Sequence, residues 1–238
     1  VKAAKQAKFR QVNRFLEFVD EILPELPISG PLRVIDFGCG KSYLTFALHY
    51  LLTDLRHREV EVIGLDLKAD VVNDCQRIAD KLECKGLRFE VGDIAGYTPN
   101  GHVDLSVSLH ACDTATDAAI AQAIGWQAKV ILAVPCCQHE VANLMPTEQL
   151  PGLLRHGILR ERFAALATDA LRAEYLETVG YRTQVIEFIE LEHTPKKLLL
   201  RAIRTESSSK PASRDRYDQL KTQLGLHDFA LERFQQPR

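Results

Sequence analysis

Short apolar runs alternate with helical stretches through the first half of the chain. Five of these runs predict buried strands, and they lie at Leu32–Phe37, Val60–Asp66, Leu87–Val91, Val103–Leu109 and Lys129–Val134. Between them, apolar residues recur at helical spacing, as in Val71–Leu82 and Asp113–Ile124. This alternation predicts right-handed crossovers and a mostly parallel, doubly wound sheet.

The pattern changes after the fifth strand. Glu148–Val179 is mainly helical, and two β-rich runs follow at Thr183–Glu192 and Lys197–Arg204. The link between the two runs, His193–Lys196, is short enough for an antiparallel hairpin. We therefore predict a Rossmann-like α/β fold with a mostly parallel seven-stranded sheet, an antiparallel closing hairpin and helices on both faces.

The two ends of the chain differ from this central part. The first residues predict an amphipathic helix, with apolar side chains at Phe9, Val12, Phe15, Leu16 and Val19. Near the other end, the Ser-rich stretch Thr205–Arg214 is typical of a linker, and Tyr217–Phe234 predicts a final helix. We expect a basic helix and linker over residues 1–30, a cofactor-binding domain over 31–204, and a linker and helix over 205–238.

The composition restricts the class of protein. The chain has 238 residues, a net charge of -2 and no apolar run long enough to span a membrane. It begins with Val1 and lacks the apolar core of a secretion signal, so we expect a trimmed amino terminus and a cytoplasmic location. The spacing of the cysteines is unlike a disulfide framework. They are Cys39, Cys75, Cys84, Cys112, Cys136 and Cys137.

A turn with two glycines follows the first strand, in the segment Asp36–Ser42. Glycine allows the backbone to turn sharply and to approach a ligand closely. A dinucleotide-binding turn needs a third glycine, but the chain has Tyr43 at that position. The turn instead resembles the first motif of class I S-adenosylmethionine (SAM)-dependent methyltransferases, in which the acid before the glycines contacts the methionine end of SAM.

Acids follow the next two strands at the same expected edge of the sheet. Asp66 ends the second strand, where such enzymes hold both ribose hydroxyls, and Asp93-Ile94 follows the third, where they hold the adenine. Because ligands of open α/β sheets bind at the carboxyl ends of strands, one SAM site is predicted. The alternative is that these acids only cap helices or turns. The expected SAM-binding residues are Asp36, Gly38, Cys39, Gly40, Lys41, Asp66, Leu67, Asp93, Ile94 and Ser108.

A second polar group follows the fourth and fifth strands, in Ser108–Asp113 and Pro135–Glu140. Both strand ends should face the methyl group in this topology. The residues expected to line the reaction centre are His110, Asp113, Cys136, Cys137 and His139.

Four interpretations of this second group are open. Its residues can orient an acceptor in line with the methyl group, with His139, Glu140 or His110 as the base for a hydroxyl acceptor. A cysteine can act as a covalent nucleophile. A zinc site is conceivable, although the adjacent cysteines lack the usual spacing. The cysteines can also pack as small hydrophobes. We favour the first interpretation and predict no metal.

Three segments resemble a group of class I methyltransferase domains marked by a Pro-Cys-Cys signature. They are Asp36–Leu44, Leu109–Asp113 and Pro135–Glu140. Glu192–Lys197 resembles the closing hairpin of bacterial members, although Lys197 stands where an Asn is expected. Relatives include eukaryotic methyltransferase-like and ribosomal RNA adenine dimethylase-domain-containing proteins. The resemblance implies a SAM-dependent methyltransferase and, through these relatives, an RNA substrate.

Basic residues are the main argument from the sequence for RNA, either tRNA or rRNA. They lie in three stretches, namely Lys2, Lys5, Lys8, Arg10 and Arg14, then Arg155, His156, Arg160 and Arg162, and finally Lys196, Lys197, Arg201 and Arg204. Such residues can form a phosphate-binding rim or only a solvated face. The alternatives are a protein or small-molecule methyltransferase and a non-catalytic module that binds SAM or RNA. No membrane partner is expected.

Overall fold

A seven-stranded sheet forms the centre of the computed structural model, which describes residues 3–109, 111, 113–189, 197–206 and 211–235. Its strands are β1 (Leu32–Phe37), β2 (Val60–Asp66), β3 (Leu87–Val91), β4 (Leu105–Leu109), β5 (Val130–Val134), β6 (Tyr181–Ile189) and β7 (Lys197–Arg204). The strand order is β3-β2-β1-β4-β5-β7-β6. Strands β1 to β5 pair in parallel, whereas β7 is antiparallel to both β5 and β6. The predicted fold class is confirmed.

Helices pack on both faces of this sheet. In the described part of the chain they are α1 (Ala3–Ile22), α2 (Tyr43–Tyr50), α3 (Ala69–Lys81), α4 (Thr114–Gly125), α5 (Glu140–Leu144), α6 (Pro151–Leu154), α7 (Gly157–Thr178), α8 (Pro211–Gln223) and α9 (Ala230–Gln235). A π-helical turn at Leu51–Leu55 continues α2, and 3-10 turns lie at Leu23–Glu25, Ile94–Gly96 and Thr147–Gln149. A search of the described residues finds no helix that is long and apolar enough to cross a membrane.

Strand β1 shows why the sheet is covered on both sides. Its alternate side chains Ile35 and Phe37 join the apolar cluster that α4, α7, α8 and α9 complete. Leu32 and Val34 point the other way, into the cluster formed with α1, α2 and α3. A strand that is apolar on both faces is typical of a parallel sheet between two helical layers.

The amino-terminal helix α1 belongs to the second of these clusters. Its Phe15 and Phe18 rings lie 6.1 and 6.2 Å from the ring of Phe188 on β6. Arg56 also holds α1, because its guanidinium donates to both carboxylate oxygens of Asp20 at 2.5 and 2.6 Å. The basic helix is therefore packed against the sheet domain.

The carboxyl-terminal part differs from the sequence prediction. The single helix predicted at Tyr217–Phe234 is wrong, because α8 starts at Pro211 and a turn separates it from α9. Gly225 makes this turn with a φ of 66°, a conformation that glycine adopts at little cost. The buried side chains of Leu226 and Phe229 then join the core on the α4 side. The apolar residues that suggested one helix therefore belong to two helices and to the turn between them.

Strands β1 to β5 end at one edge of the sheet, which we call the carboxyl edge. Asp36 and Ser108 lie close to it, because Phe37 pairs in register with Ser108 of β4. The other edge, where β1 to β5 begin, is the amino edge. Helix α7 starts at the carboxyl edge and leads to β6, whose first residue Tyr181 pairs with Arg204 at the amino edge.

Candidate active site

The glycine turn, Gly38–Ser42, connects β1 to α2 at the carboxyl edge. Gly38 and Gly40 have φ values of 64° and 50°, and Ser42 also has a positive φ. The amide of Cys39 donates to the Leu65 carbonyl at 3.0 Å, which ties the turn to β2. The glycines are thus required by the backbone conformation of the turn.

Asp36 lies beneath this turn and is almost fully buried. Thr45 of α2 donates a hydrogen bond of 2.7 Å to its carboxylate. Burial raises the pKa of Asp36 to about 7, the Thr45 hydrogen bond opposes this rise and the charge of Asp66 adds to it. A cation placed beside Asp36 would favour its ionised form.

Asp66 closes β2 and contacts the same turn. Its carboxylate accepts hydrogen bonds from the amides of Gly40 at 2.9 Å and Lys68 at 3.0 Å. These bonds agree with the alternative that Asp66 only caps a turn. Each carboxylate oxygen nevertheless retains a lone pair that can accept from a further donor. The next residue, Leu67, is exposed.

The remaining residues of the predicted cofactor group lie after β3 or within the turn itself. The carbonyl of Asp93 accepts from the Gly96 amide at 3.1 Å, and Ile94 packs against the apolar cluster on the α4 side. Lys41 is exposed. Burial, together with the charges of Asp36 and Asp66, raises the pKa of Cys39 to about 12, so its thiol stays protonated.

Ser108 provides an independent indication of a ligand at the carboxyl edge. Its side chain is buried, and its hydroxyl has no hydrogen-bond partner among the residues that the structure describes. Burying a hydroxyl without a partner is unfavourable. A polar ligand in the space beside β1 and β4 would satisfy it.

Two loops carry the predicted reaction centre. The β4 loop comprises residues 110–113, of which His110 and Cys112 lie outside the described residues. The β5 loop comprises Pro135–His139. Asp113 joins the two, because its carboxylate accepts hydrogen bonds from the amides of His139 at 2.9 Å and Glu140 at 3.3 Å.

Cys136 and Cys137 are half-buried in the β5 loop. Their sulfurs lie 3.5 Å apart, whereas a disulfide requires about 2 Å. Cys136 also lies 4.0 Å from the Ala111 carbonyl of the β4 loop. No three metal-ligating side chains group together in the described ranges, which leave out His110 and Cys112. The covalent role of a cysteine stays a prediction.

His139 ends the β5 loop and is exposed. Its Nδ1 lies 3.6 Å from a carboxylate oxygen of Glu161 on α7. Glu161 could not be assigned from the sequence, because 22 positions separate it from His139 and no local pattern connects the two residues. The contact shows that Nδ1 faces Glu161. It is a weak contact, because both side chains are more than half exposed.

A buried charged group behind both loops was also missed. It consists of Arg172 and Asp169 on α7, Asp117 on α4 and Gln138 of the β5 loop. Arg172 is fully buried and donates to the Asp113 carbonyl at 3.1 Å. The one available signal was a charged residue, Asp117, within an alanine-rich helix.

Helix α9 reaches the start of α5, directly after the β5 loop. The Ala230 amide donates to the Glu140 carboxylate at 3.2 Å, and Arg233 forms an ion pair with the same side chain. The carboxyl-terminal part of the chain therefore contacts the side chain of the residue that follows His139.

The predicted basic rim is not one surface. Arg160 donates to the carbonyls of Ala142 and Met145 at 2.7 and 2.6 Å, so it caps the end of α5 instead. Arg204 lies at the amino edge, and Arg201 pairs with Glu21 of α1. Lys2 and Lys196 lie outside the described residues, as does the side chain of Lys197.

Other basic residues lie near the carboxyl edge. The ammonium of Lys8 is 4.8 Å from the centre of the Tyr43 ring, directly after the glycine turn. Arg155 and Arg162 are exposed around the start of α7.

Comparison with known protein families gives one match over more than half of the chain. The profile of a family described as a methyltransferase domain matches residues 7–144. Trans-aconitate 2-methyltransferase of Methylobacterium nodulans is 29% identical over 99 residues, which are 39% of this chain and 34% of that protein. The chain thus matches about a third of the length of this curated relative.

Solved structures share the fold at low sequence identity. The CMeT domain of the citrinin polyketide synthase superposes with a TM-score of 0.54 at 16% identity, over 84% of this chain and 53% of that chain. Magnesium protoporphyrin IX methyltransferase from Synechocystis PCC 6803, with bound S-adenosylhomocysteine, gives 0.52 at 16% identity, over 86% and 88%.

Proposed function

The chain belongs to the methyltransferase-domain family, and on this premise we propose that the protein transfers a methyl group from SAM to a nucleophilic atom of RNA. The methyltransferase domain and SAM as its methyl donor follow from family membership. The RNA acceptor, and kinship with the Pro-Cys-Cys group, are our proposal. Within it, residues 31–204 form the SAM-binding domain, and 1–30 and 205–238 complete it on two sides.

The observation that carries the proposal is the set of polar groups around the glycine turn. The ammonium of SAM would favour the ionised form of Asp36, whose burial otherwise raises its pKa to about 7. The Ser108 hydroxyl would gain a partner. Asp66 has lone pairs left for the ribose hydroxyls, and Asp93 and Ile94, which follow β3, are the residues that we expect beside the adenine.

The reaction needs an acceptor that is held in line with the methyl group, which the sulfonium of SAM supplies in activated form. His110, Asp113, Cys136, Cys137 and His139 are the residues that we expect around the acceptor. His139 is the base that we favour, because the Glu161 carboxylate lies 3.6 Å from its Nδ1 and would stabilise the positive charge that forms when the imidazole takes a proton from the acceptor.

Exposed cations on α1 and around the start of α7 support RNA as the acceptor. Lys8 and Arg10 are exposed on α1, with Lys8 over the Tyr43 ring after the glycine turn, and Arg155 and Arg162 are exposed at the start of α7. A strand of phosphates crossing the site could contact both groups, and the attraction would weaken with salt.

A small-molecule acceptor is the second candidate. Its support is the curated relative, which is named for methylation of trans-aconitate, together with the solved magnesium protoporphyrin IX methyltransferase. A protein acceptor and a non-catalytic module that binds SAM or RNA are further alternatives.

The first test is calorimetric binding of SAM and S-adenosylhomocysteine to the wild type and to Asp66→Ala. We expect the variant to bind about tenfold to a hundredfold more weakly, since two charge-assisted hydrogen bonds to the ribose are lost. Asp74→Ala, an exposed acid on α3, is the matched control. Absence of binding to the wild type would contradict the SAM site.

The second test identifies the acceptor by transfer of a labelled methyl group to total RNA, protein or small-molecule extracts. For RNA, Lys8→Glu/Arg10→Glu should raise the KM at low salt and flatten its salt dependence, because fewer cations then neutralise phosphates and fewer counterions are released. Arg77→Glu on α3 is the control. Labelling of the small-molecule extract alone would favour the second candidate instead.

A further inference from the structure

We propose that Arg172 is a positioning residue, which holds the β4 loop and the β5 loop in the relative arrangement that methyl transfer requires. This inference rests on the proposed function for its catalytic readout. It rests on the geometry of the buried charged group for everything else.

The guanidinium of Arg172 contacts three different elements. Its Nε and Nη2 donate to the two carboxylate oxygens of Asp117 on α4 at 2.8 and 2.7 Å. Its Nη1 donates to Asp169, one turn earlier on α7, at 3.2 Å. Nη2 also donates to the main-chain carbonyl of Asp113 at 3.1 Å. The planar fork of an arginine can satisfy all of these acceptors at once.

Asp169 extends this group to the β5 loop. The side-chain amide of Gln138 donates to both of its carboxylate oxygens, at 3.0 and 3.2 Å. Arg172 therefore holds the β4 loop directly and the β5 loop through Asp169 and Gln138. Both connections start from one side chain that is fully buried, so solvent does not compete for them.

Asp113 needs such support. Its φ of 50° and ψ of -125° are uncommon for a residue with a Cβ, and such conformations persist where surrounding contacts hold them. Arg172 binds its carbonyl, while its carboxylate accepts the amides of His139 and Glu140. Asp113 is thus the residue where the two loops and the buried group meet.

Stability alone is a weak reason for this group. Burying one guanidinium and two carboxylates has a large desolvation cost, and well-packed apolar residues often serve as well or better. What apolar residues cannot supply is a directed donor to a loop carbonyl and a directed acceptor for Gln138. These directed bonds are the part of the group that reaches the reaction centre.

Two variants test the proposal without leaving an uncompensated carboxylate pair. Arg172→Lys keeps the positive charge but has no planar fork, so it should lose the bond to the Asp113 carbonyl. Gln138→Leu keeps the size of the side chain and removes the bond to Asp169. We expect kcat to fall at least about tenfold in each, because small misplacements near the reacting atoms are costly, while the affinity for SAM stays within about twofold.

A third variant gives a readout that a structural role would not produce. Gln138→Glu places a carboxyl against Asp169, with Asp117, Arg172 and Asp113 as the other charged neighbours. Burial already raises the pKa of Asp169, although Arg172 and Gln138 lower it. At low pH one shared proton should restore the hydrogen bond. The ratio of variant to wild-type kcat should therefore rise as the pH falls from about 8 to 6.

Arg216→Met is the matched control. Arg216 also binds acids of α7, namely Glu174 and Glu177, but from α8 and away from both loops. Its kcat should equal that of the wild type. If Arg172→Lys and Gln138→Leu keep wild-type kcat, or lose SAM affinity in the same proportion as kcat, the proposal is overturned.

Hydrogen exchange separates this proposal from the proposed function. The amides of His139 and Glu140, which donate to Asp113, should exchange at least about tenfold faster in Gln138→Leu and Arg172→Lys than in the wild type. This measurement needs no acceptor. A wild type that binds SAM but methylates nothing would refute the proposed function, whereas unchanged exchange of these amides would refute the role of Arg172.

Discussion

The glycine turn and the pair of loops after β4 and β5 lie at the same edge of the sheet but are held differently. The turn is held within one strand–helix–strand unit, as Thr45 donates to Asp36 nine positions earlier and the Gly40 amide donates to Asp66 26 positions later. The two loops also depend on α4 and α7, with Arg172 and Asp113 separated by 59 positions. The binding site is therefore contained in one part of the chain, whereas the reaction centre beside it depends on elements from later in the chain.

The largest effect is expected when the buried charged group around Arg172 is broken. Arg172→Met should lower the free energy of unfolding by about 3–5 kcal/mol, because the buried carboxylates of Asp117 and Asp169 lose their counter-charge. Urea denaturation measures this loss. Arg216→Met, which removes two partly exposed ion pairs, should cost no more than about 1 kcal/mol. Equal losses in the two variants would mean that the buried group is not a special support.

The next largest effect concerns the glycine turn and the pH dependence of stability that Asp36 causes. Its pKa is 3.8 in an unfolded chain and about 7 in the folded one, so the folded state keeps the proton longer. The resulting stabilisation is present at low pH and is lost as the pH rises from about 4 to 7, by about 2–4 kcal/mol. Asp36→Asn should lack this part of the pH dependence.

Unfolding of both proteins at several pH values measures the difference. Because bound SAM would favour the ionised carboxylate, wild-type affinity for SAM should also rise between pH 6 and 8, and the affinity of Asp36→Asn should change less. Parallel stability curves for the two proteins would show that Asp36 is not the group responsible.

The smallest effect concerns the exposed rim of the reaction centre. Glu161→Gln should lower kcat/KM about twofold to fivefold, because an exposed ion pair with His139 contributes little. Initial rates of labelled methyl transfer measure it. Glu148→Gln, an exposed acid nearby in the chain, is the control. A loss above a hundredfold would place Glu161 in direct contact with the acceptor.

The same contrast explains what the sequence could predict. Strand–turn–helix order, and the glycines that permit Gly38 and Gly40 to adopt positive φ, are local properties, so the fold and the turn followed from the pattern. The roles of the individual residues remain predictions, and His110 lies outside the described residues.

The buried group could not be predicted, because the pattern of α7 alone does not say which element faces Arg172. Arg160 was misinterpreted for a similar reason, since a basic residue that caps α5 looks like any other basic residue on a helix. The position of α9 depends on the turn at Gly225, which a helical apolar pattern conceals. Long-range pairing decided each of these cases.

The contact between α9 and Glu140 has a consequence for synthesis of the protein. The ribosome synthesises the chain from its amino end, so Glu140 emerges 90 positions before Ala230. The Glu140 carboxylate accepts a hydrogen bond from the Ala230 amide. The α9 contacts to Glu140 therefore form last during synthesis. A chain released before α9 is made would leave the Glu140 carboxylate, next to His139, without Ala230 and Arg233.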